Sequence, residues 1–220
     1  MGDLTTYSLA DFFPFTPEVY FRIFERQNEA VWPAQIVAVL LGAVLIWLVW
    51  RGRSKWAGVG LGAAWIFVGY TFHLELYAEY VWAAEHAGWA FIAQGALLLV
   101  VGLLGGFGGD GARSEWTLSD RFGLVIAVFG LVVYPLLIPL MGRAWAGVEL
   151  FGIASDPTVV VTCGLLVWAR PASAVAWVVP LLWAVIAAAT AIQMEATFAL
   201  AVPVAILLSL AVFVGRAFAR

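Results

Sequence analysis

The chain has 220 residues, of which 64% are hydrophobic and 11% charged, with twelve Trp. A soluble domain carries about a quarter charged residues, so this composition excludes an ordinary soluble globule and points to a lipid bilayer. The net charge of -3 and scattered basic residues leave no Lys/Arg stripe for nucleic acid, and the single cysteine, Cys163, excludes an internal disulfide framework or a CxxC redox pair.

The N-terminus lacks a basic segment followed by an apolar one, so no cleaved signal peptide is expected. Met1-Gly2 with Thr6 matches the myristoylation pattern, a pattern short enough to arise by chance. Residues 16–31 read as an amphipathic interfacial helix, with Thr16 at the N-cap, Pro17 at the first helical position and Glu18 in the first turn. Tyr20, Ile23, Phe24, Gln27 and Val31 share one face; Glu18, Arg22, Glu25 and Glu29 share the other. The acidic polar face predicts packing against the protein's own rim rather than on anionic lipid.

After this N-terminal segment, residues 1–31, the remainder, 32–220, reads as one transmembrane domain. Seven spans are predicted at about 32–50, 56–75, 88–107, 122–141, 152–169, 173–192 and 196–215, bounded by charges, Gly or Pro. The fold class expected is therefore all-α integral membrane, with seven transmembrane helices behind an interfacial helix. The fifth span is short: thirteen residues from Pro157 to Ala169 cover about 20 Å of the roughly 30 Å required. A crossing must then draw in Leu150 to Asp156, or those residues are re-entrant and Asp156 caps a helix beginning at Pro157.

Loops of one set hold eight basic residues, Arg51, Arg53, Lys55, Arg113, Arg121, Arg170, Arg216 and Arg220, against three, Arg22, Arg26 and Arg143, in the other. The positive-inside rule then predicts N-out and C-in. Gly58, Gly60, Gly62, Gly102 and Gly106 predict close helix contacts, and Pro135, Pro139, Pro180 and Pro203 predict kinks. The run from Gly105 to Gly111 reads as a flexible linker, since no GK[ST] follows it.

The densest polar chemistry lies between Thr71 and His86. At helical spacing Glu75, Glu79, Trp82 and His86 share a face. Together with His73 and Asp156 they form the candidate ligand-binding set on the outer side. His73, Glu75, Glu79 and His86 offer donors for a divalent metal, although neither ExxH nor HExxH occurs. His73 and His86 are also possible axial ligands for a haem, a weaker prospect at that spacing. The competing interpretation is a polar, aromatic-belted connection at the water interface, with Tyr77, Tyr80, Trp82 and Trp89 at headgroup level. Lys55, the only lysine, lies in a loop, so a retinal Schiff base is excluded; the Pro-Gln dipeptide of small sugar transporters is absent.

The stretches Phe15 to Gln35, Tyr70 to His73 with its acidic continuation, and Phe151 to Leu166 resemble a bacterial family of uncharacterised, permease-like multi-pass membrane proteins. The resemblance implies a multi-pass protein of the bacterial cytoplasmic membrane and no established reaction. The expected function is permease-like binding or transport of a solute or cation at an outward-facing polar site. The alternatives are a non-catalytic subunit of a membrane complex and a metal- or haem-dependent membrane enzyme. The bilayer is the expected partner, with a second membrane protein or further copies of the chain as possible additions.

Overall fold

The computed structural model describes residues 15–107, 115–169 and 174–218. Met1, Gly2 and Thr6, and the linker residues 108–111, lie outside them. The described residues contain helices and turns and no strand. Among the described residues, five helices are long and apolar enough to cross a membrane, and a bent pair, if it is one span, raises the count to six.

Helix α1, Pro17–Ala30, buries Phe21, Ile23, Phe24 and Gln27, close to the face that the sequence predicts. Thr16 occupies the N-cap position with extended backbone, but its side chain does not cap the helix. A 92° bend at Pro33 turns the chain into α2, Ala34–Trp50. Next, α3, Ser54–Val68, runs on through a π-helical segment, Gly69–Leu74, and a 3-10 turn, Tyr77–Glu79. It is followed by α4, Ala83–Leu103.

The chain continues with α5, Leu118–Val128, a π-helical segment, Phe129–Val133, and α6, Tyr134–Leu140. Thr117 and Asp120 form a capping box that starts α5. The π segment lies just before Pro135, where the missing backbone N–H cannot continue the ordinary ladder. Beyond it are α7, Ser155–Ala169; α8, Val178–Gln193; and α9, Ala201–Phe218. A 3-10 turn leads into each of the last two. Pro180 and Pro203 are each the third residue of a helix, where a missing N–H costs little, so neither acts as the mid-helix kink expected of it.

Two close approaches bind the bundle. A Cβ on Gly58 would stand 2.8 Å from Gly102 Cα, and one on Gly62 would stand 2.6 Å from Gly95 O, so α3 and α4 meet backbone to backbone. Between α5 and α7, a Cβ on Gly164 would stand 2.6 Å from Gly123 O. Small residues permit this separation, and the packing along it replaces the missing hydrophobic drive between helices in lipid.

A short apolar helix, α7, is the central one. Every residue from Phe151 to Trp168 is buried, with α7 packed against α2, α3, α5, α8 and α9. The helix begins at Ser155, so Asp156 lies within its first turn instead of capping a start at Pro157. At 15 residues α7 is about 22 Å long; the turn from Phe151 to Ala154, held by Ile153 N–H and Ala154 N–H donating to Leu150 O, extends it as buried backbone.

Candidate functional site

Three elements converge on the first turn of α7. The preceding turn is shaped by Gly152 (φ 73°), whose N–H donates to Thr158 Oγ1 at 2.8 Å. The Thr158 hydroxyl in turn donates to Ala154 O at 2.6 Å. One threonine thus closes the turn onto its own helix and sets Glu149, Ser155 and Asp156 at one end of the bundle.

Asp156 and Glu149 are both buried, 8% and 4% exposed, and one phenol joins them. Tyr134 Oη donates to Asp156 Oδ2 at 3.1 Å and reaches Glu149 Oε2 at 3.4 Å. The indole of Trp183, on α8, donates to Asp156 Oδ1 at 2.7 Å. Burial, and then the neighbouring Asp156 carboxyl, push the Glu149 carboxyl well above the ordinary range, while the Tyr134 bond pulls the other way.

His73 enters from the π segment. It is fully buried, its Nε2 is 2.7 Å from Ser155 Oγ, and its Nδ1 has no hydrogen-bond partner among the described residues. Aromatic rings surround it: Phe91 at 4.7 Å, Phe72 at 5.1 Å and Trp183 at 5.5 Å between centroids.

Of these groups, His73, Phe72, Glu149, Asp156 and Trp183 line a cavity of about 370 Å³. Its polar floor is His73, Glu149, Asp156 and Trp183; its walls are largely Ala, Val and aromatic side chains of α1, α4, α8 and the turn before α9. Helix α1 covers this end: Gln27 Nε2 donates to Thr71 Oγ1, Asn28 Nδ2 donates to Ala146 O and Val148 O, and Arg26 pairs with Glu79 at 3.7 Å. Tyr20 and Phe21 of α1 belong to the cavity wall.

The candidate set from the sequence therefore divides. His73 and Asp156 meet at the cavity, whereas Glu75, Glu79, Trp82 and His86 are exposed and do not line it. The single helical face predicted for the last four is absent, because the chain passes from π-helix to 3-10 turn and α4 begins only at Ala83. His86 stacks edge-on against Trp82 at 5.7 Å, away from the buried His73. Among the described residues no group of three or more His, Cys, Asp or Glu could hold a metal ion.

Glu149, Tyr134, Ser155 and Trp183 complete the site beyond the sequence-derived set. Glu149 shows in the sequence as one of the acidic residues on the outer side, whereas a tyrosine just before Pro135 in an apolar span and a tryptophan within the apolar α8 are the only signals of Tyr134 and Trp183.

No curated protein and no solved structure matches the chain. Residues 17–220 match a family described as a family of unknown function, DUF6064, and the chain belongs to that family.

Proposed function

We propose that the chain is a permease-like membrane protein that binds a solute or cation in the cavity above α7. The observation that carries this reading is the buried pair Glu149 and Asp156 on the floor of a largely apolar cavity. Ionisable groups withdrawn into a membrane bundle are costly to maintain and mark substrate or ion pathways. The cavity volume, about 370 Å³, is of small-ligand size.

In this reading seven segments cross the membrane: α2, α3, α4, α5 with α6, α7, α8 and α9. Two observations support the alternation. Helix α1 touches the segments around Thr71, Ala146 and Phe198, which gathers alternate connections at one end. At the opposite end Arg216 of α9 donates to Val167 O of α7, and the Trp116 ring packs tilted against Trp168. The eight-to-three basic balance assigns the α1 end to the outside. The short α7 is tolerated because protein, not lipid, surrounds it.

The test is a thermal-stability screen of purified protein against cationic, zwitterionic, neutral and anionic solutes, followed by flux through proteoliposomes. A ligand of the folded state raises the melting temperature by mass action. Hits that Glu149→Gln and Asp156→Asn abolish, and that cross the liposome membrane, are expected. Hits indifferent to both substitutions, or no hits, overturn the reading.

A further inference from the structure

We infer that the cavity selects a small organic ammonium ion and takes it up in exchange for a proton held by the Glu149–Asp156 pair. The inference rests on the binding-site reading above and names its substrate class.

Charge comes first. Among the described residues, the lining holds two carboxyls and no Lys or Arg. The basic side chains nearby are engaged elsewhere: Arg26 pairs with Glu79, and Arg143 stacks on the Phe21 ring at 3.7 Å without lining the cavity. Two buried carboxylates without a counter-cation are strongly disfavoured, so the pair holds a proton or meets a positively charged ligand. The polar groups facing it are Tyr20 of α1, His73 and Tyr77 beyond α3, Tyr134 of α6 and Trp183 of α8. None of these supplies a permanent positive charge.

Hydrogen-bonding capacity points the same way. The bonds described to the four carboxyl oxygens come from two donors, the Tyr134 hydroxyl and the Trp183 indole. An ammonium group brings up to three more N–H donors. His73 lines the cavity as well, its buried Nδ1 without a hydrogen-bond partner among the described residues. The aromatic side chains of Tyr20, Phe72, Tyr77 and Trp183 line the cavity, a lining that suits the apolar body of an organic cation. An anion finds no counter-charge here, and a bare metal ion finds no set of three ligands among the described residues.

The exchange balances without redox chemistry. One ammonium enters, one proton leaves a carboxyl for bulk water, and the charge in the cavity is unchanged.

The probes are n-butylammonium, neutral 1-butanol and the anion butyrate, titrated calorimetrically against the full chain in nanodiscs at about pH 7. Two buffers of different ionisation heat reveal protons released. Butylammonium is expected to bind at least about tenfold more tightly than either relative, releasing about one proton. Glu149→Gln and Asp156→Asn each weaken it by about tenfold or more. Equal binding of butanol or butyrate overturns the ammonium class while leaving the cavity as a binding site. Butylammonium binding without proton release overturns the exchange. If folded wild-type protein binds none of the three, the class is wrong, and the broader reading stands or falls on the solute screen. The wild-type comparison needs no variant, so a substitution that prevents folding does not affect the decision.

Discussion

Tyr134 has one hydroxyl proton and two carboxyl neighbours, at 3.1 Å and 3.4 Å. It therefore satisfies one carboxylate at a time, and a proton on the pair allows the remaining oxygen–oxygen contact to become a hydrogen bond. Tyr134→Phe removes this shared group and leaves buried acceptors unpaired, at a cost of about 1–3 kcal/mol. Melting in detergent is expected to fall, and to fall further at alkaline pH, where both carboxyls are driven to ionise. Glu149 gives a related pH effect of defined sign. Its folded pKa lies above the ordinary value of 4.5, so the native state keeps a proton that the unfolded chain has released. Stability contributed by this group is complete below that value and declines as pH rises through the raised one. Melting temperatures measured against pH are expected to show a shallower decline in Glu149→Gln than in wild type.

The elements depend on two devices, close glycine contacts and a threonine-closed turn. A Cβ at Gly164 would meet the Ala127 backbone as well as Gly123 O, and neither can yield as a flexible side chain would. Gly164→Val should push α5 from α7 and destabilise the bundle by about 1–3 kcal/mol, read as a lower melting temperature. Thr158→Val keeps the side-chain shape but orphans Gly152 N–H, which donates to Thr158 Oγ1; a loss of about 1–3 kcal/mol is expected in the same assay. Apolar run length made the helices legible in the sequence. Irregular backbone did not show there: the π segment at Gly69–Leu74 carries no proline, and it ends the helical period that the Glu75-to-His86 reading assumed. The site was half legible. His73 and Asp156 stood out as ionisable groups, whereas Tyr134 and Trp183 resembled ordinary aromatics in a chain with twelve Trp and six Tyr. Only tertiary packing brings them to Asp156.

At the scale of the whole molecule, one arrangement accounts for the short helix and the buried acids together. Surrounding helices enclose α7, so its first turn can carry Asp156 beside Glu149 without exposing either carboxyl to lipid. The proposed orientation places the α1 end outside. Single cysteines introduced at Trp145, 71% exposed beside the cavity end, and at exposed Glu115 near the opposite end, test it in sealed cells. A membrane-impermeant maleimide is expected to label Trp145→Cys directly and Glu115→Cys only after permeabilisation; the reverse pattern inverts the topology.

That enclosure of α7 also gives the chain an internal clock. Cys163, its only thiol, is 0% exposed at the middle of the central helix. Alkylation there must wait for the surrounding helices to part, so the rate at which native protein consumes a thiol reagent measures how often the bundle opens. A ligand seated above α7 should slow that clock in proportion to the open population it removes.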